Sequence, residues 1–455
     1  MDTRPVPFAP PAPVPRTSPP SFLQMVRIVY RNPLELWGEP SYNEPWIHIK
    51  TGVGGPLLVA NDPALVRHVL VDNARNYKMA RVRQKILRPI LRDGLLTAEG
   101  ETWKRSRRAM APVFTPRHIQ GFARPMLETA ERFVSVYEQR EGAFDMAHDM
   151  TQLTYEILAE TLFSNEIAGE PELFGERVER LLETMGRVDP LDLLAAPDWL
   201  PRITRLRGRS ALAFFRKIVR ETMEMRRAKL DRDPPEDFLT LLLRAEGPDG
   251  LTRDEVEDNI ITFIGAGHET TARALGWTLY LLAHAPQERE RLEEEIGRVT
   301  ATVDDPWLWL DAMPLTRAAF EEALRLYPPA PSINREVVAD ETWRDLELKA
   351  GTQVLVMPWV IHRHRLYWDR PEAFMPERFW PENRDAIDRF QYLPFGAGPR
   401  ICIGAAFALQ EAVIALAVLM KRFRFDMAPG APEPWPVQKL TTQPDGGLRM
   451  VATPR

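Results

Sequence analysis

The stretch FGAGPRICIG, residues 395–404, constrains this chain more than any other. It holds the only cysteine in 455 residues, with glycines at 396, 398 and 404. It runs directly into an apolar segment, Ala405–Lys421, that reads as a helix. A lone cysteine cannot form an intrachain disulfide, nor can it carry an iron–sulfur cluster, which takes about four protein ligands. It fits a reducing compartment. Two readings of the loop stand on the residues alone. Cys402 is a small buried core residue, or it is a thiolate ligand. A thiolate at neutral pH needs amide donors or positive charge, and the start of the following helix offers N–H groups. The glycines would let a large flat ligand approach the backbone. Arg400 could reach an anionic group on that ligand, and Phe395 would pack beneath it. A flat ligand that carries both metal and carboxylates is haem.

The rest of the chain reads as one large, mostly helical domain, residues 21–455, with a small β portion. Apolar residues recur at three-and-four spacing over Pro116–Gln139, Tyr155–Leu162, Glu172–Val188, Arg209–Leu230 and Thr252–Ala285. Strand-like pieces fall at Trp46–Thr51, Pro56–Ala60, Thr352–Val356 and Leu448–Thr453. Pro-rich turns fall at Asp198–Pro201, Asp233–Glu236 and Pro328–Pro331. Residues 1–20 hold eight prolines and no apolar run, and read as a mobile tail rather than a leader peptide. Neither of the two longest apolar runs suits a membrane span. Ile260–Ala285 is broken by His268, Glu269 and Arg273, and Ile401–Met420 carries Gln410 and Glu411 at its centre. No membrane anchor is expected. With 59 basic against 64 acidic side chains, the net charge of −5 gives no footprint for nucleic acid.

Three further constellations carry chemistry. In AGHETT, residues 266–271, Ala266 and Thr270 share a helix face, and the threonine hydroxyl can bond to the carbonyl one turn back. This is either a kink in a core helix or a groove for a diatomic molecule, with Glu269 able to relay protons. In EEALRLYPP, Glu322 and Arg325 pair three apart on a helix ended by proline, and Arg378 lies in the later PERF. In WKRSR, Trp103 and Arg107 lie four apart, both donors suited to a carboxylate, inside a basic patch with Lys104, Arg105 and Arg108. A solvated helix face explains that patch equally well.

Together these motifs resemble the cytochrome P-450 family, of the soluble bacterial type. Residues 395–404 match its haem loop, Phe-x-x-Gly-x-Arg-x-Cys-x-Gly, at every fixed position, and the other motifs follow the family's order. The resemblance implies a triangular helical prism enclosing haem b, with Cys402 as the axial thiolate. It also implies Trp103, Arg107, Arg335 and Arg400 on the propionates, and Phe395 in the cofactor loop. Thr270 and Glu269 become the proton-delivering pair, and Glu322, Arg325 and Arg378 a structural brace. The activity implied is a cytoplasmic, monomeric monooxygenase that hydroxylates or epoxidises an apolar small molecule with O2. Its electrons would come from a separate ferredoxin or flavodoxin with an NAD(P)H-dependent reductase, since only about fifty residues follow Cys402. Apolar pocket positions would include Ile261, Ile264, Ile333 and Leu448. A peroxide-driven or isomerising haem-thiolate enzyme, and a haem sensor or carrier without catalysis, are the alternatives. The acid–threonine pair argues against the first, and the lack of a second domain against the second.

Overall fold

The computed structural model describes residues 7–49, 55–168 and 202–455. The expected helix Glu172–Val188, the turn Asp198–Pro201 and the end of the expected strand Trp46–Thr51 lie outside the described residues. The helices that matter to the site are α1 (Phe22–Arg31), α2 (Arg81–Leu91), α3 (Gly100–Met110), α4 (Pro116–Val134) and α5 (Met146–Phe163). They are followed by α6 (Ile203–Arg227), α7 (Arg253–Ala283), α8 (Pro314–Leu326) and α9 (Ala405–Arg422).

α7 is the axis of the fold. Thr252 and Glu255 form a reciprocal capping box at its start. Apolar residues then surround most of its 31 residues, so it is buried on nearly every side rather than along one stripe. It packs against α5 at close range. A Cβ on Gly267 would sit 2.6 Å from Leu158 Cδ1, and the Thr154 hydroxyl donates to the His268 carbonyl at 2.9 Å. Glycine at 267 is what allows that approach. α9, apolar for the same reason, packs against α4, α7 and α8.

The small β portion includes a sheet built from β1 (Trp46–Ile49), β2 (Leu57–Ala60), β3 (Tyr77–Met79), β4 (Ile333–Val337) and β5 (Gln353–Val356). Its order is β1-β2-β5-β4-β3, and the β2–β5 pair is parallel. The register sets Arg335 opposite Met79 and Val354, next to the start of α2. A separate hairpin joins β6 (Trp435–Gln438) to β7 (Thr442–Asp445).

The expected mobile tail is ordered against the body from Pro7. Phe8 stacks on His284 at 4.5 Å, and its carbonyl accepts from Phe374. Tyr327 donates to the Pro11 carbonyl at 2.9 Å, and Pro10 and Pro13 are buried. Proline composition sets stiffness, not detachment, and a rigid extended segment loses little entropy on docking. Among the described residues, no helix is long and apolar enough to cross a membrane.

Candidate functional site

Cys402 lies just before the first turn of α9. Its N–H donates to the Phe395 carbonyl at 2.9 Å, closing the loop. Phe395 itself is half-buried against the main core. Burial pushes the Cys402 thiol pKa up, while the Gly404 N–H and the Arg107 charge pull it down. The residue nonetheless remains exposed. The expected amide donor is present, and it is the one at the helix start. Arg107, on α3, donates to the Ile401 carbonyl at 2.9 Å and so is fixed beside the loop.

Two of the loop glycines are there for a different reason from the one expected. Gly396 and Gly398 have φ of 70° and 72°, and a Cβ on Gly398 would fall 1.8 Å from the Leu70 carbonyl oxygen. They are required by backbone handedness and by a neighbouring chain segment. Gly404 is the open one, with its nearest atom, on Phe114, 3.9 Å from a built Cβ.

Three guanidinium groups gather on one side of the loop. Arg400 donates to the Ala98 carbonyl and to Glu99 Oε2, both at 2.7 Å, and lies over the Trp103 ring at 4.9 Å. Arg335 donates to the Asn334 carbonyl at 3.2 Å. Burial, then the like charges of Arg400 and Arg83, push its pKa down to about 10, with Glu99 opposing. Arg83 donates to the Ser332 carbonyl at 3.3 Å, and burial lowers its pKa as well. Three cations against the single carboxylate Glu99 leave an excess positive charge that water cannot screen fully, suited to a ligand bearing two carboxylates. The residues fit haem: a thiolate position at one end and a dianion site at the other.

Thr270 donates to the Ala266 carbonyl at 2.9 Å, as the spacing implied. Ala266 is exposed although it sits mid-helix in an otherwise buried element. Glu269 is buried; its Oε1 accepts from Thr441 at 2.7 Å, Arg273 approaches it at 3.9 Å, and its Oε2 has no partner. The brace is complete. Arg325, fully buried, bonds to both oxygens of Glu322 and to the carbonyls of His362, Pro371 and Ala373, and Arg378 reaches Glu322 at 3.5 Å.

Sequence reasoning missed three residues. Arg83 shares a helix face with the buried Leu87 and Ile90, and a charge on a core-facing stripe was the available signal. Glu99 immediately precedes α3 and carried no signal. Glu411 was noted only as a charge inside an apolar run. It is buried on α9, takes a hydrogen bond from Thr271, and burial raises its pKa to about 8. Among the apolar positions expected to line a pocket, Ile261, Ile264 and Leu448 are packed into the core instead, and only Ile333 keeps surface. Helix periodicity does not tell a core face from a pocket face.

A mostly helical body whose one cysteine heads the buried helix α9, packed against the helix α7 that carries an acid–threonine pair, defines a haem-thiolate protein. The comparisons agree. The family model for Cytochrome P450 matches residues 48–449, and the chain belongs to that family. It is 31% identical to cyclooctatin synthase of Streptomyces melanosporofaciens, over 94% of this chain and 93% of that protein. It is 30% identical to pentalenene oxygenase of Streptomyces avermitilis, over 93% and 94%. A crystal structure of the cytochrome P450DA heme domain superposes with a TM-score of 0.78 at 27% identity, covering 90% of each chain. The family and fold imply a haem held by a cysteine thiolate, and an oxygenase.

Proposed function

We propose that this chain is a monooxygenase that inserts one oxygen atom of O2 into an apolar organic substrate, by hydroxylation or epoxidation. Its cofactor is haem b and its electrons come from a separate ferredoxin or flavodoxin with an NAD(P)H-dependent reductase. The observation that carries the reading is Cys402 at the start of α9, with the Gly404 N–H directed at its sulfur and the Arg107 charge held beside the loop. The bound haem supplies the oxidising chemistry. Cys402 would hold the iron, while Arg400, Arg335, Arg107 and Trp103 would orient the carboxylates. Thr270 would hold a proton-donating hydroxyl on the distal helix, and Glu269, one residue before it, would exchange protons with the Thr441 side. The name of the relative pentalenene oxygenase points to a hydrocarbon substrate and supports the apolar class.

The test is the carbon monoxide spectrum of the reduced protein, paired with turnover on a panel of terpenoid, fatty acyl and aromatic compounds. Cys402→Ser is expected to lose both the thiolate-type spectrum and turnover. Unaltered spectrum and turnover in that variant would overturn the reading. Thr270→Ala should divert electrons to peroxide; a peroxide-driven enzyme would be indifferent to it. Turnover by the purified chain with NADPH and substrate alone would refute the separate redox partner.

A further inference from the structure

The helix α1 belongs to none of the machinery above, yet it is firmly built. Ser21 caps its start, and Gln24 returns the bond to the Ser21 N–H at 2.9 Å. At its end Asn32, buried, donates to the Pro436 carbonyl at 2.9 Å and accepts from the Gln438 N–H at 3.1 Å. Both ends are fixed, the second one to β6.

Despite that anchoring, none of its ten residues is buried, although seven of them are apolar or aromatic. Leu23 is 79% exposed, and Phe22 and Tyr30 are each 47% exposed. The strand gripped by Asn32 adds Trp435, 40% exposed. Scattered apolar side chains are ordinary on a protein surface, but four large ones on one joined pair of elements form a patch. The charge on the helix has one sign. Arg27 and Arg31 are exposed, and the sequence from Phe22 to Leu34 contains no acidic residue.

We propose that α1, with Trp435 at its flank, is a docking face for an anionic lipid bilayer. Basic residues interleaved with Leu and Phe on a short helix, with Trp and Tyr at the edge, are the composition of a helix that lies in the membrane interface. At ten residues α1 is about 15 Å long, half the hydrocarbon thickness, so it lies along the surface and does not cross it. The two arginines complement lipid phosphate, and their attraction weakens within a Debye length as salt rises. An acidic protein partner would satisfy the arginines but would leave Leu23 and Phe22 without an apolar phase.

The experiment is flotation of the full-length, haem-loaded chain with phosphatidylcholine vesicles, with and without phosphatidylglycerol, at low and high salt. Binding is expected to phosphatidylglycerol vesicles at low salt. Leu23→Glu and Arg27→Glu should each weaken it about tenfold or more, with the carbon monoxide spectrum and circular dichroism unchanged. No binding at low salt, or binding that both variants leave intact, would overturn the proposal. So would concentration-dependent dimerisation abolished by Leu23→Glu, which would make a second copy of the chain the occupant.

Discussion

Replacing Glu411 by glutamine should change how stability depends on pH, and by a calculable amount. Glu411 is 1% exposed, its Oε2 has no hydrogen-bond partner, and its resolved interactions are burial and the hydrogen bond from Thr271. Burial raises its pKa from an ordinary carboxyl value of 4.5 to about 8. Below pH 4.5 the folded and unfolded chains both hold the proton, and the group contributes nothing to the pH dependence. Between 4.5 and 8 the unfolded chain releases the proton while the folded chain keeps it, so stability falls by about 1.4 kcal/mol per pH unit. The accumulated loss is about 3 kcal/mol at pH 7 and about 5 kcal/mol above pH 8, where it levels off. Glutamine keeps the acceptor for Thr271 and has no proton to lose. Urea unfolding of the haem-loaded protein at a series of pH values should therefore show Glu411→Gln matching the natural chain near pH 4.5 and exceeding it progressively up to pH 8. Parallel stability curves would refute the burial argument, because an ordinary carboxyl at 411 predicts no divergence.

Two other perturbations follow from the same geometry. Glu322→Ala should cost about 3–5 kcal/mol in urea unfolding, since it strands Arg325 as a fully buried, unpaired cation; a loss below about 1 kcal/mol would contradict this. Gly398→Ala should lower the haem retained per chain, measured by absorbance after gel filtration. Its Cβ would lie 1.8 Å from the Leu70 oxygen at a φ of 72°, and the cysteine loop has to move.

The residues proposed to serve the cofactor were legible because each pairs an unusual residue with a local spacing: Cys402 with its glycines, Thr270 with Ala266, Trp103 with Arg107. Helix extent was less legible. The Tyr155–Leu162 pattern is the second half of α5, whose first half carries His148, Asp149, Thr151 and Gln152. Thr151 returns its hydroxyl to the Ala147 carbonyl at 2.8 Å, and Asp149 is held by Tyr137 and Arg140. Polar residues can thus be buried without the apolar period that announces burial. The parallel pairing of β2 with β5 joins Leu57 to Gln353, a separation that no local pattern encodes. Arg83 and Glu99 were missed for the same reason. Their roles exist only once α2, the start of α3 and β4 meet.

The arginine cluster and the brace obey one rule with opposite outcomes. Glu322 and Arg325 are both fully buried, and they are tolerable because each charge meets the other and every guanidinium bond finds an acceptor. Arg335 and Arg400 share Glu99, with Arg83 beside them, and the pKa of Arg335 is depressed by burial and then by the repulsion of its two neighbours. A cluster of that kind opposes folding of the bare chain and is relieved when a dianion binds. On the proposed function, binding energy from the carboxylates of haem would then be folding energy for the sheet edge and α2. On this argument the segment from Arg81 to Leu91 and the strand carrying Arg335 should gain hydrogen-exchange protection together when haem is added to the apoprotein. The Glu322–Arg325 pair, already neutral within itself, should gain far less.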